Sequence, residues 1–123
     1  MSRTLAQERS AFALAEVLKI QNNQTEFKSL VEGLPAMILQ NGFGQALSFL
    51  LAKKKDYHLA VFDSIANWLK DRAILPTTDR GQVMREISTM GQQQYLQAQR
   101  EAMFFLEWVK RYAKAFFETK TGG

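Results

Sequence analysis

The chain has 123 residues, 46% of them hydrophobic and 23% charged, with a formal net charge of +4, a sequence pI near 9.5 and no cysteine. Such values are expected of one globular domain spanning 1–123, frayed at 1–3 and 119–123, and they exclude a disulfide framework, thiolate metal sites and thiol redox chemistry. The positive excess is mild, enough to favour polyanions without forming a dedicated cationic arm.

Thr4-Leu-Ala-Gln7 fits a capping box, in which hydroxyl and amide side chains satisfy orphan backbone donors, so a first helix is expected from there to about Ile20. Gln21 to Thr25 is a polar connection, after which Phe27, Leu30, Val31 and Leu34 recur at helical spacing. Pro35 has no amide donor and clashes with the preceding turn, so this second helix is expected to kink near Gly33 or restart at Pro35, and to end at Gln40. Asn41 and Gly42 tolerate the left-handed conformation that ends helices, and Gly44 lets the chain turn into the next one. Pro35, Asn41, Gly42 and Gly44 therefore read as a structural corner that aims the helix from Gly44 to Lys53.

That third helix carries Leu47, Phe49, Leu50 and Leu51 and runs into Lys53-Lys54-Lys55, with Asp56 the expected cap of a fourth. Val61, Ile65, Trp68 and Leu69 form the fourth helix's apolar stripe, which stops by Leu75 before Pro76. Thr77, Thr78 and Asp79 are candidate caps for a short helix holding Val83, Met84 and Ile87, and Gly91 marks its end. A last helix is expected to reach about Glu118. Strand alternation, hairpin turns and fixed-period repeats are missing, so the fold class is all-α, a compact bundle of about six helices with short loops.

No charged residue occurs from Gly33 to Ala52, close to the about 20 residues of a membrane span. The polar and helix-breaking residues at its centre make a soluble helix-break-helix segment the better reading, with no membrane partner. The first residues lack an apolar signal core, so export is not expected.

Lys53, Lys54 and Lys55 are the densest positive charge, able to grip successive phosphates without reading bases. The competing structural reading is that helix C-termini favour cations. On the last helix Arg100, Lys110, Arg111 and Lys114 fall on one side, beside a core stripe of Ala102, Leu106, Val109, Ala113 and Phe116. Glu107 with Arg111, and Lys114 with Glu118, have the spacing of intrahelical pairs that weaken this second basic face. Phe104, Phe105, Trp108 and Tyr112, with Trp68, are aromatics at helical spacing, which more often form core or subunit interface than base-stacking platforms. His58 is the only histidine and reads as structural. Paired carboxylates, nucleophile and base sets, metal-ligand spacing and phosphate-binding Gly loops do not occur, so no enzyme activity, metal, cofactor or small-molecule substrate is expected.

The block from Leu34 to Lys53, with its Leu-Pro, its Asn-Gly and a following apolar helix ending in Lys, resembles the signature region of the small all-helical subunit of type III-B (Cmr) CRISPR effector complexes. Gln7-x-Arg9, Tyr57 through Trp68-Leu69, and Glu101 to Ala113 extend the resemblance over most of the chain; Phe43 stands where leucine is usual. The resemblance implies a non-catalytic cytoplasmic subunit in antiviral defence that contacts other Cmr-type subunits and further copies of itself. It also implies weak, sequence-independent contact with guide and target RNA. A protein-only scaffold is the main rival. A helical DNA-binding domain is less well supported, because Gly91-Gln-Gln-Gln-Tyr95 lacks a clear recognition pattern.

Overall fold

The computed structural model describes residues 2–118; the expected fraying of Met1 and of 119–123 lies outside them. Six helices follow in order: α1 (Leu5–Leu18), α2 (Gln24–Asn41), α3 (Phe43–Lys53), α4 (Asp56–Asp71), α5 (Arg80–Thr89) and α6 (Gln92–Phe116), with no strand among the described residues. The long α6 is the spine: α1, α2 and α4 all pack on it, while α3 rests on α2, α4 and α5.

The α1 capping box forms as expected. Gln7 N–H donates to Thr4 Oγ1 at 3.1 Å, and Thr4 N–H donates to Gln7 Oε1 at 2.8 Å. The helix stops at Leu18 rather than Ile20.

Helix α2 does not restart at Pro35; it passes through that residue as one helix and ends at Asn41 rather than Gln40. Pro35 is buried, and its ring adds to the same apolar face as Val31, Leu34 and Ile38. Gly33, just before it, has nothing within 4 Å of where a Cβ would stand.

The corner is tighter than the four residues assigned to it. Asn41 and Gly44 lie inside helices, and Gly42 alone leaves them, at φ +90° and ψ 158°. Its N–H donates to Ile38 O at 2.8 Å, closing α2, and its carbonyl accepts from Ala46 N–H at 3.1 Å, opening α3. One residue is both the end of one helix and the start of the next.

Asp56 does not cap α4; Lys55 occupies that position and Asp56 is the first helical residue. After Asp71 the chain closes with Ala73 N–H on Lys70 O at 2.9 Å and Ile74 N–H on Leu69 O at 2.9 Å, Ala73 being left-handed at φ +59°. These two bonds make a Schellman motif whose usual glycine is replaced by alanine. Asp79 caps α5 through a 3.0 Å bond from Gln82 N–H, selecting one of the three expected caps.

The core is one cluster, and aromatic rings stack where α1, α4 and α6 meet. Trp68 lies parallel to Phe105 with centroids 5.6 Å apart, and Phe12 tilts against Trp68 at 5.2 Å. One residue of the expected α6 stripe is misplaced: Phe116 is 55% exposed, and its neighbour Phe117 is buried against Phe27. Helix α6 ends at Phe116, short of Glu118, and this turns the following side chain inward.

Candidate nucleic-acid interface

The Lys53-Lys54-Lys55 corner is built from three backbone conformations in succession. Lys53 is the last helical residue of α3, Lys54 is left-handed at φ +59°, and Lys55 is extended as the N-cap of α4. Consecutive side chains therefore leave the backbone in different directions. All three are exposed, and none forms an ion pair among the described residues; Lys53 Nζ rests 5.5 Å from the centroid of Phe49.

Helix electrostatics accounts for two of these lysines. Lys53 and the C-cap Lys54 sit at the negative end of α3, where a cation is favoured, but Lys55 is the N-cap of α4, at a positive end where it is not. The α4 cap makes no side-chain bond to the helix's first amides, and Asp56 is the adjacent carboxylate. Beneath the lysines His58 is buried against Phe49 and Tyr57, with ring centroids at 5.6 and 4.5 Å, and its Nδ1 has no hydrogen-bond partner among the described residues. Burial, then the charges of Lys53 and Lys55, hold its pKa below the ordinary histidine value.

The basic residues of α6 line two separate grooves along the helix. Lys110, Arg111 and Lys114 line a groove of about 440 Å³ with Glu32 of α2 and Glu107. Arg100 lies more than two turns away, in a different groove with Leu5, Arg9, Arg72, Gln97, Glu101 and Phe104. Glu107 pairs with Lys110 at 3.6 Å, three residues on, rather than with Arg111. No Lys114–Glu118 pair forms among the described residues, and neither Arg111 nor Lys114 forms an ion pair there.

The aromatic set divides by burial. Trp68 and Phe105 are fully buried; Trp108 and Tyr112 are half-buried and stack on each other at 5.9 Å, with Tyr112 Oη bonded to Ser10 Oγ at 2.5 Å; Phe104 is 47% exposed.

Three contacts were not evident from sequence. Arg9 of α1 binds the carboxylate of Glu101 on α6, with Nη2 to Oε2 at 2.8 Å, and lays its guanidinium 4.5 Å from the centroid of Phe104. Arg72 binds Glu8 at 2.9 Å and lies over Trp68. Tyr95 Oη accepts from Gly44 N–H at 2.9 Å, supplying the α3 cap that Gly42 has no side chain to give. Arg9 and Glu101 both stand in segments marked by the resemblance, but nothing in their types says that they pair.

Among the described residues no group of three or more His, Asp or Glu side chains is arranged to hold a metal, and no helix is long and apolar enough to cross a membrane.

Comparison with known proteins adds three findings. A family model described as CRISPR-associated protein (Cas_Cmr5) matches residues 5–116. A Thermus thermophilus protein, CRISPR system Cmr subunit Cmr5, is 31% identical over 93 residues, which is 76% of each chain. The crystal structure of a CRISPR-associated Cmr5 family protein, also from Thermus thermophilus, superposes with a TM-score of 0.82 at 27% identity, covering 95% of this chain and 100% of that one.

Proposed function

Because the chain belongs to the Cmr5 family of small subunits of type III-B CRISPR complexes, we propose that its part in the complex is to present positive charge to the backbone of the RNA held there. It is a non-catalytic cytoplasmic subunit in this reading. It packs against other Cmr-type subunits and further copies of itself, and leaves sequence recognition to base pairing between guide and target. The observation that carries the reading is the corner of α3 and α4. There, three exposed lysines without ion-pair partners among the described residues lie between the end of α3 and the uncapped N-terminus of α4, an arrangement that attracts phosphate. Arg111 and Lys114 are secondary contacts, Lys110 being partly neutralised by Glu107.

The test is reconstitution of the complex with native protein and with Lys53, Lys54 and Lys55 all changed to Ala. Intact assembly, weaker target-RNA binding and a salt dependence shallower by about 2 logarithmic units, at about 0.7 per lost phosphate contact, are expected. Unchanged affinity and slope in an assembled complex would return the lysines to a solubilising role.

A further inference from the structure

The α1–α6 groove that contains Arg100 has a composition unlike the lysine corner. Its inner part, of about 240 Å³, is lined by Arg9, Arg72, Gln97, Arg100 and Phe104, and it continues into a space of about 670 Å³ bordered by Gln93 and Gln94. The two share Arg72, Ile74, Gln97 and Arg100, so they form one channel. On α6, Gln93, Gln97, Arg100 and Phe104 follow at helical spacing and make a stripe about 16 Å long.

The charges of this channel can be assigned one by one. Arg9 is matched by Glu101 and Arg72 by Glu8, while Arg100 is exposed and has no carboxylate partner among the described residues. One positive charge is therefore left for a ligand. The glutamine amides add uncharged donors and acceptors. Phe104 stays 47% exposed in a chain that buries Phe27, Phe43, Phe62 and Phe105 completely, and the Arg9 guanidinium is fixed over its ring by Glu101. An exposed ring one turn from an unpaired arginine, with amides along the same stripe, matches the parts of a nucleotide: a flat base, one phosphate and base edges.

We propose that this groove is a base-stacking subsite for single-stranded RNA, one nucleobase lying on Phe104 while its phosphate meets Arg100. The inference rests on the reading that this subunit meets RNA in the complex, and adds a contact of a different kind at a different place. The lysine corner acts on backbone charge alone; the groove holds a base, and stacking tolerates any base because each has a π face.

The test uses the reconstituted complex and guide-complementary target RNA carrying 5-iodouridine at successive positions. Irradiation is expected to link one position to Phe104 or its immediate neighbours, located by mass spectrometry. Phe104→Leu, which keeps apolar bulk, should abolish that crosslink and weaken binding about fivefold without changing the salt slope. Phe104→Trp should restore both, and Arg100→Gln should lower the slope by about 0.7. Crosslinks confined to the lysine corner, with Phe104→Leu binding as native, overturn the groove and leave the backbone reading intact. A crosslink at Phe104 that survives when the three lysines are changed to Ala, with affinity unaltered by that change, sustains the groove and sinks the lysine reading. No crosslink at Phe104 or its neighbours overturns the groove, and the lysine reading then stands or falls on the affinity and salt slope of the Lys53, Lys54 and Lys55 variant. Phe104→Leu that prevents entry into the complex assigns the groove to a protein neighbour and overturns the proposal.

Discussion

Arg9 Nε and Nη2 both reach Glu101 Oε2, at 2.9 and 2.8 Å, tying the second turn of α1 to the middle of α6 across 92 positions of sequence. The two side chains are 16% and 9% exposed, so each is costly to leave alone. Arg9→Ala should destabilise the protein by about 3 kcal/mol, because Glu101 then keeps its charge without a partner. Replacing both, Arg9→Met with Glu101→Leu, should recover most of that loss. Urea unfolding of the three proteins decides it: a double variant no better than the single would mean that the pair is net stabilising.

The Tyr95 hydroxyl serves as the cap of α3. Tyr95→Phe keeps the ring packed edge-on against Phe43, at 6.4 Å, but leaves the Gly44 amide without its acceptor. A loss of about 1–2 kcal/mol is expected. Amide exchange should speed up first at Gly44 and its α3 neighbours, and uniform acceleration across the fold would contradict a capping role.

Two left-handed residues should respond in opposite directions. Gly42 sits at φ +90°, and Gly42→Val should cost about 2 kcal/mol or more through backbone strain. Ala73 holds the glycine position of a Schellman turn at φ +59°. Ala73→Gly should raise stability by about 0.5–1 kcal/mol, the relief of left-handed strain outweighing the added freedom of the unfolded chain. Thermal denaturation of each variant checks the sign.

His58 makes stability depend on pH. Its folded pKa lies below the ordinary 6.5 because burial, Lys53 and Lys55 all oppose its protonation. The unfolded chain therefore takes up a proton that the folded chain refuses. The contribution is whole above about pH 6.5 and is lost as pH falls from there toward the depressed value. Native protein should lose stability relative to His58→Gln between about pH 7 and 5 by urea titration, and parallel curves would mean that the imidazole is freely solvated.

How far the sequence could be read depended on the range of each interaction. Six helices and the all-α class followed from spacing and local caps: Thr4 with Gln7 and Asp79 with Gln82 are contacts within one turn, and the structure has both. Pro35 did not restart the helix, because a helix tolerates proline when burial of the surrounding face offsets the missing amide bond, and burial is a tertiary quantity. Phe116 and Phe117 exchanged places because the last helical turn is where periodicity fades. The lysine corner was visible as composition, but the position of Lys55 as the N-cap of α4 is a boundary finer than patterning resolves. Arg9 with Glu101 and Tyr95 with Gly44 join positions 92 and 51 residues apart, for which one sequence holds no signal.

A junction made of Gly42 alone has no slack. Lengthening the chain there by a single residue would separate the bond that closes α2 from the one that opens α3, and would displace Phe43, Leu47 and Leu50, which are all buried at the start of α3. Natural variation in length should therefore be barred between α2 and α3. Any growth of this subunit in related chains should fall instead in the irregular stretch between α4 and α5, where residues 72–79 leave the chain free to lengthen.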